Sequence, residues 1–297
     1  NKKYFKVLFT TLVFWLFLII VFALIFLNSR TIRSIKIQNL VLLFSSYFFY
    51  GYWDWRFLSL IFFVSIHTYV SGNLIYIKNK YAKLILLICI SLNILILGFF
   101  KYYNFFIQEL FQIINIKNSF STLEIILPVG ISFYIFQSLT YVLDIYLKKL
   151  KPEKKILNYL TYVSFFPQLV AGPIERASSL LPQFRIITSI DNEKIYSGIK
   201  IAIVGLFMKI FLADNLAPHV DYIFLNYQNI TSGTLFLGAI YFSIQIYADF
   251  CGYSLIAIGV AKLLGFNLMT NFNTPYFSLS IQDFWKRWHI SLSTFFR

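Results

Sequence analysis

Few residues in this chain could do chemistry, and most of them are isolated. His67, His219 and His289 lie far apart in sequence. Cys89 and Cys251 show neither disulfide nor metal-ligand spacing, so no metal and no bound cofactor is expected. His289 stands out by its surroundings, in the stretch Asn271 to Arg297, NFNTPYFSLSIQDFWKRWHISLSTFFR. Read as one helix from about Ser280 at roughly 100° per residue, this stretch separates into faces. Ile281, Phe284, Trp285, Trp288, Leu292, Phe295 and Phe296 form an apolar stripe, with His289 at its edge beside Gln282 and Ser293. A histidine there can reach a polar cavity while its helix stays anchored, and imidazole can take a proton from a hydroxyl near neutral pH. A core histidine bonded to a neighbouring carbonyl fits the same pattern.

Asp249 is the second candidate. It sits in Gln245-Ile246-Tyr247-Ala248-Asp249-Phe250-Cys251-Gly252-Tyr253-Ser254, between the apolar runs Thr234–Phe250 and Gly252–Phe266. A carboxylate at the centre of a bilayer costs roughly 2.5–3.5 kcal/mol on insertion scales, so it should face water or a partner. A buried, hydrogen-bonded helix junction is the plainer alternative.

The elements that position these residues are membrane elements. The chain is 59% hydrophobic and only 13% charged, with 35 Phe, 21 Tyr and a mean hydropathy of +0.71, which excludes an ordinary soluble domain. The fold class is therefore an all-α polytopic membrane protein, a single domain over residues 1–297. The net charge of +14 does not indicate nucleic acid, because the basic residues cluster in short loops between apolar runs. Spans are expected at Val7–Leu27, Gln38–Trp53, Phe57–Ile77, Leu84–Phe100 and Leu127–Leu147, with a mixed amphipathic segment up to Glu124. Ile156–Ile174 is interrupted at Phe166-Pro167 and Ala171-Gly172-Pro173, which reads as a re-entrant or hinge element or as a helix end at a loop. Tyr196–Asp214 is a further apolar element, with Lys209 inside it.

Loops 30–36, 78–83 and 148–155 carry eleven Lys and Arg, whereas the opposite side carries six. The positive-inside rule then places 148–155 in the cytoplasm and 101–124 outside. The basic tail Lys2, Lys3, Lys6 argues the other way. The first residue is Asn and no small-residue cleavage site follows the first apolar run, so that run is expected to be a retained span and the native start to lie upstream.

The run N-F-x-x-P-Y, then S-I-x-x-F-W-x-R-W-H-I-S-L-S, resembles the signature of the membrane-bound O-acyltransferase (MBOAT) superfamily. It is most similar to the bacterial branch of alginate O-acetyltransferases and of D-alanyl and peptidoglycan acyl-transfer proteins. L-P-V-G-I-S-F-Y-I-F-Q-S at 127–138, S-F-F-P-Q-L-V-A-G-P-I at 164–174 and KIFLADNLA at 209–217 share that wording. The family usually has serine where Cys251 stands and often an acidic residue near Leu255.

This resemblance implies a bundle of about eight to ten transmembrane or re-entrant helices around a channel. There a cytoplasmic donor, acetyl-CoA or another acyl donor, meets an acceptor from the other side. It implies an O-acetyltransferase of the bacterial inner membrane acting toward an extracytoplasmic polysaccharide or peptidoglycan, with a periplasmic partner transferase. His289 is its candidate catalytic residue, and Gln245, Asp249, Asn271, Trp285 and Trp288 are candidates for lining the channel or positioning substrate. A second histidine, in a later W-H-G motif, is the one the family assigns as catalytic. No W-H-G occurs in these 297 residues, so this stretch by itself is expected to insert without transferring acetyl groups. A transporter or channel and an inactive remnant are the other readings, although no inverted repeat supports transport.

Overall fold

Helices form on the apolar runs and begin where a polar side chain can hold a free backbone amide. The computed structural model describes residues 9–114, 125–170 and 172–296, with side chains for all of these except 106–114. Thr11 accepts from the Phe14 amide at the start of α1 (Leu12–Leu27), and Ser34 accepts from Ile37 at the start of α2 (Ile35–Asp54). A tight turn at Trp55–Phe57 leads into α3 (Leu58–Ile77), and a second leads into α4 (Ala82–Ile114). Among the described residues the structure is α-helical without strands. Among the described residues, five stretches are long and apolar enough to cross a membrane: Leu12–Ile32, Ile35–Ile77, Asn79–Phe105, Asn192–Leu225 and Ser232–Leu263. The all-α polytopic reading holds. The segment 115–124, with Lys117, lies outside the described residues.

The centre of the bundle is α5 (Ile131–Tyr146), a shorter helix than the span expected at Leu127–Leu147. It starts at Gly130, whose φ of +71° only glycine adopts without strain and where a Cβ would collide with the Leu169 carbonyl. Most of its residues are buried, including polar Gln137, Ser138, Thr140 and Asp144, so it serves as an interior helix. The interrupted element is also inside the protein. α6 (Ile156–Ser164) stops at Phe165, Pro167 sits in the first turn of α7 (Phe166–Leu169), and α8 (Ala177–Leu180) follows. The freed Phe166 amide donates to Ser46 Oγ, which is how a broken backbone is satisfied away from water.

α9 (Asn192–Leu206) runs through a seven-residue π-helical stretch, Phe207–Ala213, into α10 (Asp214–Leu225). α11 (Ser232–Leu263) is one unbroken helix of 32 residues, whereas the hydropathy pattern suggests two spans joined at 245–254. The junction is helical because nothing in it breaks a helix: its Gly252 is needed for packing. Gly198 and Gly205 on α9 face Gly259 and Gly252 on α11, and a Cβ at Gly252 would lie 2.8 Å from the Gly205 carbonyl oxygen and 2.9 Å from the Lys209 amide. Small residues seven apart on both helices thus let the two backbones touch.

The 280–297 segment differs from the single helix expected. α12 (Ile281–Arg287) and α13 (Ile290–Phe295) are separated by Trp288, with extended backbone, and His289, with φ +45°. Two bonds to the preceding loop hold the break open: the Ile290 amide donates to Asn271 O (2.9 Å), and the Asn273 amide donates to Arg287 O (3.0 Å). Helical periodicity carries no information about such a partner, so the apolar stripe alone predicts a continuous helix.

Candidate active site

The site is built where three stretches far apart in sequence converge on α11. Ser243, Tyr247, Phe250 and Ser254 share one face of that helix and meet the segment 271–289. Tyr276 donates its hydroxyl to Ser243 O, and Asn271 Nδ2 donates to Ser254 Oγ (2.6 Å). Phe250 stands edge-on to the His289 ring, with centroids 4.6 Å apart. Trp288 packs against Phe272 (5.0 Å), Phe284 (5.5 Å) and Tyr247 (6.1 Å), forming an aromatic collar beside the histidine.

Other bonds tie this segment to the broken element. Glu175, buried, accepts from the Met269 amide, and Arg176 donates to Thr294 O while pairing with Asp144 (3.6 Å). Phe136 of α5 packs on Phe295 (5.3 Å). The blocks 127–138, 164–176 and 267–296 therefore form one structural unit around α11.

The polar atoms at this junction are incompletely used. His289 Nε2, Asn271 Oδ1 and Ser291 Oγ are all buried without a hydrogen-bond partner. Three such atoms within one tied pair of segments, one of them on a residue held at positive φ, leave donors and acceptors available to a bound group. Burial lowers the pKa of His289 from 6.5 to about 4, so the imidazole is neutral at neutral pH and keeps a lone pair to accept a proton. Glu175 moves the opposite way, to about 7, because burial disfavours its carboxylate.

The expected site residues do not all gather here. His289, Trp288 and Asn271 do. Trp285 is more than half exposed and packs edge-on to Phe284 alone among rings. Gln245 and Asp249 fall on the face of α11 turned away from Tyr247 and Phe250, the face that also carries Gly252 and Gly259. Asp249 pairs with Lys209 (2.6 Å), which also bonds Asp214 (2.5 Å) and stands over the Tyr253 ring (5.1 Å). Asp249 is thus one of three charges in an ion group between α11 and the π-helical stretch, separated from His289 by the width of α11. The sequence signal for this split is the spacing itself: residues 243, 247, 250 and 254 recur at helical intervals, and 245 and 249 fall opposite them. Sequence reasoning misses Glu175 and Ser254 because each is one short polar residue whose partner lies elsewhere in the chain. Among the described residues no three His, Cys, Asp or Glu side chains are placed to hold a metal ion.

Residues 47–297 match the model of the MBOAT, membrane-bound O-acyltransferase family. A probable alginate O-acetylase of Pseudomonas putida is 38% identical over 278 residues, covering 92% of this chain and 57% of the relative. A peptidoglycan O-acetyltransferase of Helicobacter pylori is 34% identical over 324 residues, covering 99% of this chain and 61% of the relative. A teichoic acid D-alanyltransferase of Bacillus subtilis is 29% identical over 173 residues, covering 57% of this chain and 43% of the relative. This chain spans a little over half the length of the alginate O-acetylases it matches. The family match across most of the chain agrees with the helical membrane fold: the chain belongs to the membrane-bound O-acyltransferase family.

Proposed function

We propose that the protein carrying this chain is a multi-pass O-acetyltransferase of the bacterial inner membrane. It takes acetyl groups from a cytoplasmic donor, acetyl-CoA or another acyl donor, toward hydroxyls of an extracytoplasmic polysaccharide or peptidoglycan. Family membership and the names of the relatives support the reaction class, and a periplasmic transferase is the expected recipient or partner.

The observation that carries the site is the buried, unpartnered Nε2 of His289. In transfer, the acceptor oxygen attacks the acyl carbonyl, its proton leaves to a base, and the donor leaves with the electron pair of the broken bond. A neutral imidazole fits as the proton acceptor or as the group that orients the hydroxyl, and Asn271 Oδ1 and Ser291 Oγ offer further contacts. Phe250 stands edge-on to the imidazole, and Phe272 and Trp288 pack behind it as apolar surface. The test is polymer-bound acetate in cells lacking the native enzyme, after expression of the full-length protein or its His289→Ala variant. Expected is at least a tenfold loss with normal membrane insertion, in keeping with the roughly hundred- to ten-thousandfold that acid/base assistance supplies. Unchanged acetylation removes His289 from the mechanism.

A further inference from the structure

The largest concentration of charge that the proposed reaction leaves unused is the loop Lys148–Lys155. Its shape is fixed from within. The Lys149 and Leu150 amides both donate to Asp144 O, which turns the chain at Lys148 into positive φ (+58°). Buried Glu153 anchors the other end: its amide donates to Tyr141 Oη, and its carboxylate accepts from the Lys155 amide, Asn158 Nδ2 and Arg185 Nε (2.6 Å). The only acidic side chain in the loop is thereby taken up by Arg185. Among the described residues, none of Lys148, Lys149, Lys151, Lys154 and Lys155 has an ion-pair partner.

Two clefts open beside this loop and share Lys151. One, of about 330 Å³, has an apolar floor of Ile75, Ala82, Ile145 and Tyr146 between the ends of α3, α4 and α5, with Lys148 and Lys151 at its rim. The other, of about 390 Å³, is lined among others by Ile35, Lys151, Lys154, Lys155 and Arg185, with the Arg185-paired Glu153. Their walls come from all three basic loops, so the fold assembles lysines at one end of the bundle. Ile77, Leu84 and Leu147, at the same helix ends, are exposed apolar residues. Apolar floor, two cationic rim groups and exposed apolar residues at the same helix ends describe an amphipathic anion. A soluble phosphate compound satisfies the rim and leaves the floor unused.

We propose that the groove between α3, α4 and α5 binds an acidic phospholipid, with its phosphate between Lys148 and Lys151 and its upper acyl chain against Ile75, Ala82 and Ile145. Basic pockets between transmembrane helices take lipid headgroups by this chemistry. The site is independent of acyl transfer.

The full-length protein in phosphatidylcholine nanodiscs, titrated with spin-labelled phosphatidylglycerol, tests it. Lys148→Gln with Lys151→Gln should weaken association on the order of tenfold, as expected for two cations removed from an anionic headgroup. Lys80→Gln with Lys149→Gln removes equal charge from the same end but outside the groove, and should change it less than about threefold. Lys148→Arg with Lys151→Arg keeps both charges at the rim and should retain binding. Equal losses in the two glutamine variants would reduce the effect to diffuse attraction and overturn the site. Displacement of the label by inorganic phosphate as effectively as by short-chain phosphatidylglycerol would assign the rim to a soluble anion instead.

Discussion

At the scale of single residues, His289 and Glu175 bring opposite pH dependences into one junction. The folded-state pKa of His289, about 4, lies below its ordinary 6.5, so acidification favours the unfolded chain, which binds the proton first. Its contribution to stability is complete above pH 6.5 and falls away toward pH 4. Glu175 has the reverse sign: with a folded pKa near 7 against an ordinary 4.5, it holds its proton in the fold and destabilises the fold as pH rises through that window. Thermal unfolding of the purified protein in detergent across pH 4 to 8 should therefore show His289→Gln relieving the acid-side loss, and Glu175→Gln raising stability above pH 7 while matching wild type near pH 4. Parallel curves for wild type and both variants would show that neither group titrates in its buried setting. The pH–rate profile of acetyl transfer is a separate expectation. If His289 acts as base, its acid limb lies below pH 6.5, and a limb at or above 6.5 assigns the titrating group elsewhere.

At the scale of elements, the pair α9 and α11 depends on the glycine contact. A side chain at Gly252 meets backbone atoms of Gly205 and Lys209, which cannot swing aside as a flexible side chain can. Gly252→Leu should force the helices apart, at a cost of about 1–3 kcal/mol or more from overpacking, and loosen the Lys209–Asp249 pair. A fall in the unfolding midpoint is the expected result. An unchanged midpoint would mean that the π-helical stretch Phe207–Ala213 absorbs the insertion. That stretch is itself a place where a helix gives up regular bonding, and it sets Lys209 between two aspartates. The break at Trp288–His289 is the other element-scale device: it exists because Asn271 and Asn273 supply backbone partners, and it turns the imidazole toward α11.

At the scale of the whole molecule, the loops 30–36, 78–83 and 148–155 meet at one end, as the shared linings of the two clefts show. Helices that start and finish there must alternate in direction, so Arg56 and Lys101 fall toward the opposite end. The charge asymmetry then predicts a cytoplasmic location for the lysine-rich end. Single cysteines at 151 and 117, in a background without Cys89 and Cys251, test this with a membrane-impermeant thiol reagent on intact cells. Labelling at 117 but not at 151 is expected, and the reverse pattern inverts the protein in the membrane.

The class of fold, the first four spans, the interruption near Pro167 and the family are legible in residue order, because hydropathy, proline geometry and a long motif are local properties, whereas the segment 127–147 became an interior helix and the runs 234–250 and 252–266 became one. The same motif groups His289, Trp288 and Asn271 in one block. How that block bends is a matter of long-range contact, since the bonds from Ile290 to Asn271 and from Asn273 to Arg287 join backbone atoms far apart along the chain. The helical continuity of α11 is likewise undecidable from its wording: Gly252 reads as a breaker until the facing Gly205 is known. Once α11 is continuous, its 3.6-residue repeat puts Asp249 with Lys209 and Phe250 with His289, on opposite sides of one helix. Neighbours in sequence are thereby assigned to different sites, and burial, a property of the assembled bundle, is what holds the imidazole of His289 neutral.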